Sequence, residues 1–577
     1  MAQARPLRAI DSQLVHSEHS LSELEIRRMS KLLEEEEHEK KLYEEEIAST
    51  RRFLEMLEHR KRNLETNMEH RRSTFSTLRK VPPEIWEIIF TEVCSSTASG
   101  YSLAIGLAQK PQTLEMRPIV LSQVCSRWRR ITQGFPKLWT SISVHLAGLR
   151  PGCQDIVSTF LQNSGNHRLN VRIQLRASDV ACVLAETNAI IWKQLAQHLW
   201  RCWKISLDTD DFALLEIPLG LQQISFPHLT VYEGETTLSL VGQNLRGSWW
   251  EALQQAPNLT EITTCFLYPF DTIPYTRLTT LTFRCLFPLE VRKLYEFLPF
   301  CERLETLTLG CVDQGGATTA DGYHLDPVEI RSLRSLVIEG YGTLNIHCSL
   351  LTALLGSLML PSLGSFDLRC QGYTMYRCWP PSLLDFLRRT SPTLRKFHLF
   401  MDHCALPVDT TLQPTLVSAL LETVSNVQTL RIAMEREGVV NANRYQDAAD
   451  FFVSDLFGRF GFGRKVLPEL ESLEVYMSDI SLGSSVAGMV VNAAARGSSS
   501  PQPFPCRVSV TRIPSPASYG NGTGRLERRV GRPKVLDLGV DVGRKMAELE
   551  RDAGVKVVIR DLDGFPAELE SAVRRRN

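Results

Sequence analysis

Fourteen cysteines and thirteen histidines are the side chains of this chain best able to hold a metal or attack a carbonyl. Such chemistry needs donors at short, fixed spacings, because several ligands must converge within about 2.3 Å of one ion. The cysteines are scattered instead: none forms a C-x-x-C pair, and no cysteine–histidine spacing makes a zinc finger. No nucleophile elbow and no H-E-x-x-H is present. Gly458, Gly461 and Gly463 alternate with Phe460 and Phe462, but no lysine–serine or lysine–threonine follows in register to make a phosphate loop. His398 and His403 are isolated. The expectation is a protein without a catalytic site, metal or cofactor, whose thiols are structural.

What remains is recognition chemistry, carried by a repeated phrase. Beyond residue 225, Leu259-x-x-Ile262 is followed by Leu278-x-x-Leu281-x-Phe283, Leu304-x-x-Leu307-x-Leu309 and Leu333-x-x-Leu336-x-Ile338. Leu363-x-x-Phe366-x-Leu368, Leu394-x-x-Phe397-x-Leu399, Val427-x-x-Leu430-x-Ile432 and Leu470-x-x-Leu473-x-Val475 complete the series. The starts lie 19 to 43 residues apart. A strand with period-two burial recurring at such intervals is a leucine-rich-repeat pattern. Its uneven lengths and missing regular asparagine predict an irregular solenoid.

In each phrase the first, fourth and sixth positions face the core, and the third, fifth and seventh face the open side. On the open side fall Arg284, Glu339, Asp367, Arg369, Lys396, His398, Phe400, Arg431, Glu474 and Tyr476. Arg369, Lys396, His398, Phe400, Arg431 and Tyr476 are the expected substrate-binding residues. Exposed Phe400 and Tyr476 would anchor a protein ligand, and the basic cluster would take a phosphate or acidic motif. Cys285, Cys311 and Cys370 stand two residues past the sixth position and are expected to be buried. Helices are expected between strands, from the spacing of Val291, Leu294, Tyr295 and Leu298, and of Leu416, Leu420 and Val424.

The remaining elements must hold this surface in place. Residues 17–78 lack proline and glycine and are densely charged, acidic first and basic later. Ile47, Leu54, Met68 and Phe75 fall on one heptad series, and Leu57, Leu64 and Leu78 on its partner. This predicts a long helix with a coiled-coil seam. Lys61 and Arg71 interrupt the seam, so the helix should pack locally, or self-pair no tighter than about micromolar.

Val81-Pro82-Pro83 then opens a helix from Glu84 to Cys94, prolines being tolerated in a first helical turn. Ile85, Ile88 and Ile89 form one apolar stripe, and Trp86, Phe90 and Val93 a second. So wide an apolar girth on a short helix calls for burial on two sides, one of them against a partner. Residues 95–118 read as a loop. A second helix, Ile119 to Thr132, places Leu121, Val124, Cys125, Trp128 and Ile131 on one face, and Gly134 and Pro136 stop it. A short strand, Ser141 to His145, follows.

Val81-Pro82-Pro83-Glu84-Ile85 with Ile88, Ile89 and Phe90 resembles the opening of F-box-like domains. Val124-Cys125-x-x-Trp128-Arg129 and Phe135-Pro136-x-Leu138-Trp139 resemble their close, and a coiled helix directly before the F-box resembles the fungal type. The resemblance covers about 70 residues. It implies docking to a Skp-type adaptor, which bridges to a cullin and a RING subunit. It would place Pro82, Ile85, Ile88, Ile89 and Phe90 at or near that contact, with Val124 and Trp128 holding the helices together. Valine at 81 in place of leucine and the long 95–118 connection depart from the family pattern.

The expected architecture is therefore α/β overall: a coiled-coil helix (17–78), a small all-α F-box-like domain (79–145) and a leucine-rich-repeat solenoid (146–495). A Ser-, Pro- and Gly-rich flexible linker or loop (496–533) and a helix–strand end (534–577) follow. Within the 427–470 interval, Tyr445 to Phe460 is expected to be helical. Basic and acidic residues balance at 65 each, so nothing asks for nucleic acid or an anionic membrane. No run of about 18 apolar residues and no signal-peptide core are present, which points to the cytosol or nucleus. The resemblance implies a substrate receptor of a cullin-type ubiquitin ligase with an unidentified protein substrate. The alternative is a leucine-rich scaffold that recruits no ligase.

Overall fold

The computed structural model describes residues 22–75, 77–95, 100–107, 110–145, 149, 152–175, 186–209, 224–235, 248–265, 267, 273–286, 288–313, 325–342, 349–370, 381–402, 413–435, 455–456, 467–478, 507–513, 534–535 and 556–561. Two compact units are present, Met1–Trp86 and Glu87–Asn577.

The first unit is dominated by a 52-residue helix, Glu23–Thr74, about 78 Å long at 1.5 Å per residue. Ser22 opens it: the Glu25 carboxylate accepts from the Ser22 backbone N–H at 2.9 Å and its hydroxyl at 2.7 Å, half of a capping box. These bonds hold the Glu25 carboxyl below its usual range. The apolar seam residues are exposed, among them Ile47, Leu54, Leu57, Leu64 and Met68.

The second unit is built on one sheet of seventeen strands among the described residues. Strands β1 (Leu103–Leu107) and β2 (Lys110–Met116) are followed by β3 (Ser141–His145), β4 (Leu169–Leu175), β5 (Cys202–Thr209) and β6 (Val231–Glu235). Next come β7 (Glu261–Thr264), β8 (Thr280–Leu286) and β9 (Thr306–Asp313). A two-residue strand β10 (Val328–Glu329) pairs separately with β12 (Leu358–Met359). The main sheet continues through β11 (Ser335–Gly342), β13 (Ser365–Cys370), β14 (Lys396–Asp402), β15 (Thr429–Glu435), β16 (Ser472–Ser478) and β17 (Arg507–Ile513). It ends with β18 (Lys534–Val535) and β19 (Lys556–Asp561). From β3 to β17 each strand of this sheet pairs in parallel with the next, and β19 extends the series.

The eight phrases become β7, β8, β9, β11, β13, β14, β15 and β16, in a common register. Ile262, Leu281, Leu307, Leu336, Phe366, Phe397, Leu430 and Leu473 stand opposite one another from strand to strand as one continuous rung. All are at most 1% exposed. Helices cover this face: Phe366 stacks on Phe397 at 5.7 Å and meets Phe386, from the helix Pro381–Thr390, edge-on at 5.1 Å. The expected helical sets are confirmed in Pro288–Phe297, where Val291, Leu294 and Tyr295 are buried, and in Gln413–Thr423, where Leu420 is. The chain is an α/β protein with a long N-terminal helix and a leucine-rich-repeat-like solenoid.

Several expectations need correction. The rung extends back through Tyr232, Ile205 and Val171 to Ile142, so the solenoid starts at β3 and no boundary falls at 145/146. The segment expected as a loop, 95–118, holds the antiparallel pair β1–β2, and β1 lies parallel to β3. Leu103, Ala104 and Ile105 are buried there, so the region 79–145, expected to be all-α, is not; its hairpin adds two strands at the beginning of the solenoid sheet. The linker expected over 496–533 contains β17, because Val508 and Val510 continue the apolar alternation opposite Leu473 and Val475. Cys285 is only half-buried, although Cys311 is fully buried. A register shift after Phe283 puts Leu286, not Cys285, opposite Cys311. Gly310 fits the same irregularity: a Cβ there would strike the Arg284 carbonyl.

Asp455 and Leu456 are helical and Leu456 is buried. The rest of Tyr445–Phe460, the helix expected within 534–577 and the Cys370 side chain lie outside the described residues. Among the described residues no helix is long and apolar enough to cross a membrane.

Candidate functional site

The helix opened by the prolyl pair runs from Pro83 to Ser95, with the Pro82 carbonyl accepting from the Ile85 and Trp86 N–H groups. Its two stripes part as their side chains dictate. Trp86 and Phe90 of the second stripe are buried together with Cys94, but Val93 is 37% exposed, and Ile85, Ile88 and Ile89 are 45%, 66% and 41% exposed. Pro82 is exposed too. Leaving three isoleucines in water on one helix forgoes several kcal/mol of burial, at roughly 1.5–3 kcal/mol each.

Two expected roles change. Phe90 is 1% exposed and packs edge-on against Trp128 at 4.9 Å, so it supports the helix from behind. Val124, expected to hold the helices together, is 59% exposed. The cause is a break in the expected helix Ile119–Thr132. Cys125 is extended at φ −160° and ψ 168°, dividing it into Arg117–Val124 and Ser126–Gln133. The Cys125 sulfur accepts from the Trp128 N–H at 3.5 Å and caps the second helix. Val124 thus ends the first helix at the surface, as Val120 (53% exposed) does one turn earlier. Trp128 meets Phe90 between the two helices.

The six expected substrate residues lie on β13 to β16, on the face opposite the buried rung, and the charges of Arg369 and Arg431 are already matched. Arg369 sits between Glu339 at 2.7 Å and Asp367 at 2.8 Å. His398 Nδ1 lies 3.9 Å from the same Asp367 carboxylate. Arg431 meets Glu474 at 2.8 Å and lies 5.5 Å from the centre of the Tyr476 ring, whose hydroxyl donates to Glu474 at 3.1 Å. The expected anion-binding cluster is therefore an internal ion-pair network. Phe400 is not exposed either: it is 7% accessible, seated between Arg369 and Ala433 on the flanking strands. Lys396 is exposed at the start of β14. Tyr476 is half-buried and keeps an accessible edge.

Burial alone would raise the Asp367 carboxyl, but His398 and the Arg369 guanidinium more than offset it and hold it below its usual range. A depressed carboxylate contributes stability that is present above the unfolded value, near about pH 3.9, and lost as pH falls through the folded value. Arg369→Met should therefore be less stable than wild type at neutral pH, with the difference shrinking below about pH 4. Urea midpoints measured across pH will check this, and a difference that does not change with pH would contradict it.

The other end of the same face is closed. Tyr101, 8% exposed, hydrogen-bonds with Ser206 and lies close to Arg172, Lys204 and Glu233, so the segment leading into β1 covers the first strands. Lys204 and Glu233 pair there at 2.7 Å. A separate open cavity of about 630 Å³ lies beside the strand starts, lined by Arg303, Arg331, Arg334, Glu302 and Glu305 among others.

Several of the described thiols are deeply buried, Cys94, Cys202 and Cys301 among them. Burial pushes Cys94 up to about 11, and Cys202 and Cys301 up to about 12. Since the thiolate is the nucleophile, maleimide on the native protein should label exposed Cys125 long before these three; mass mapping that finds Cys202 or Cys301 labelled as fast would count against this packing.

No protein-family model matches this chain, and no curated protein matches it.

Proposed function

We propose that this chain is a substrate-recognition adaptor of a Skp–cullin–F-box type ubiquitin ligase. The observation that carries the reading is the helix Pro83–Ser95: prolines open it, Phe90 is locked against Trp128, and Ile85, Ile88 and Ile89 face solvent. That is the side a Skp-type adaptor would cover in the family the segment resembles. The solenoid would hold a protein substrate, with Tyr476 and Lys396 at the edges of the charged network as contact residues. The work is positional: no residue need transfer a proton, and the gain is effective concentration of the substrate near a ubiquitin-loaded enzyme. Such a role belongs in the cytosol or nucleus.

A second reading, a leucine-rich scaffold that recruits no ligase, draws support from the hairpin β1–β2. It ties the F-box-like helices into the solenoid sheet, an arrangement that a simple end cap also explains. One measurement separates the two. Purified full-length chain mixed with a Skp-type adaptor should form a complex that survives gel filtration; absence of any complex favours the scaffold.

A further inference from the structure

The long helix Glu23–Thr74 exposes a seam that extends well beyond its C-terminal half. Ile26, Leu33, Ile47, Leu54 and Met68 are separated by multiples of seven, and Met29, Tyr43, Leu57 and Leu64 follow the same series three residues on. Each is between 40% and 57% exposed. A 3–4 apolar stripe of this length is the seam of a coiled coil. Charged residues interrupt it at Glu36, Lys40, Lys61 and Arg71.

Those interruptions select the partner and its direction. In a parallel, in-register pair every interruption meets itself, giving four layers of like charge. An antiparallel pair with its two-fold axis between Ala48 and Ser49 does the opposite. Each member of the first series then faces one of the second whose number makes up 97, so Lys61 meets Glu36 of the second copy. Lys40 meets Leu57, along whose side chain its own stem can lie. Leu33 meets Leu64, Leu54 meets Tyr43, and Met68 meets Met29. Beside the seam, Glu39 comes next to Arg60 and Glu44 next to Arg51, against one unfavourable pairing of Glu37 with Glu58. The halves are complementary as wholes. Residues 23–46 carry ten acidic and five basic side chains, and residues 47–74 carry four acidic and seven basic.

We propose that this helix pairs antiparallel with the same helix of a second copy of the chain, in the register that sets Lys61 against Glu36. The pairing makes the protein a dimer whose two Glu87–Asn577 units leave from opposite ends of the paired helices. The proposal is independent of ligase recruitment.

Sedimentation equilibrium of the full-length chain tests it through a charge swap. Wild type should dimerise, and Lys61→Glu or Glu36→Lys alone should weaken the dimer about tenfold, since each creates two symmetry-related like-charge contacts. The double variant carrying both changes should recover wild-type association. A chain that stays monomeric overturns the proposal. So does a dimer indifferent to the single changes, the result expected of parallel pairing, where each layer remains like-charged whichever sign it carries. Helicity by circular dichroism should be the same in all four proteins, which excludes unfolding as the cause.

Discussion

The chain with Ile85 and Ile89 both changed to lysine should lose its complex with a Skp-type adaptor and still unfold at the wild-type temperature. Both side chains are more than two-fifths exposed, so in the free protein the new ammonium groups meet water and helix propensity is preserved. In a complex that covers this face, each would be a buried charge without a counter-ion. Burying such a group costs several kcal/mol, and two of them together weaken association by roughly a thousandfold or more. Phe90→Ala is the informative contrast. Its ring is buried against Trp128, so truncation should cost about 3–5 kcal/mol of stability and impair binding only through unfolding. Co-purification of the double lysine variant at the wild-type level would sink the placement of the adaptor on this helix.

The largest loss of stability without any effect on a binding surface is expected from Arg201→Met. Arg201 is 2% exposed, yet its guanidinium makes no ion pair among those observed for the described residues. It donates to the carbonyls of Leu161 and His167 at 3.2 Å, to the Ser164 hydroxyl at 3.0 Å and to the Gly165 carbonyl. These acceptors cluster at the C-terminal end of the helix Cys153–Asn163, where carbonyls lack intrahelical partners and a cation complements the helix dipole. Desolvation pulls the Arg201 pKa below its usual value. Methionine keeps much of the volume and strands the acceptors. At about 1–3 kcal/mol for each buried group left unmet, the loss should reach about 3 kcal/mol or more. A urea titration that moves by less than about 1 kcal/mol would mean that water replaces the guanidinium.

How much of this was legible in the sequence depended on whether the signal was periodic or steric. The eight leucine phrases mapped onto eight strands because period-two burial is a property of the residues themselves. Strand β3 is legible but did not join the series, and β4 and β5 were missed, since the first position of the phrase is Trp139, Arg168 and Cys202 for β3, β4 and β5, where leucine would have marked it. The helix Ile119–Thr132 illustrates the opposite failure. Its apolar spacing runs unbroken through Cys125, while a sulfur cap that divides the helix leaves no trace in periodicity. On the site helix, the stripe of Ile85, Ile88 and Ile89 was readable. Which of two apolar stripes would be buried, and hence that Phe90 faces inward, depended on Trp128 arriving from another helix. The charged network was misjudged for a related reason. Alternation assigns a side chain to a face but says nothing of its neighbours across the rung, and Arg369 and Arg431 find carboxylates there.

The rungs stay aligned although the chain between successive strands varies from short to long. For a flexible connection the difference between a 19-residue and a 43-residue interval amounts to about 0.7 kcal/mol of closure entropy. The order that matters is transverse, from strand to strand, and contour length between rungs is nearly without weight in it. Such a molecule can acquire or shed tens of residues in one connection without disturbing the alignment of the strands on either side. The 427–470 interval, already the longest of the phrase series, is where a foreign domain could be spliced in while β15 and β16 remain paired.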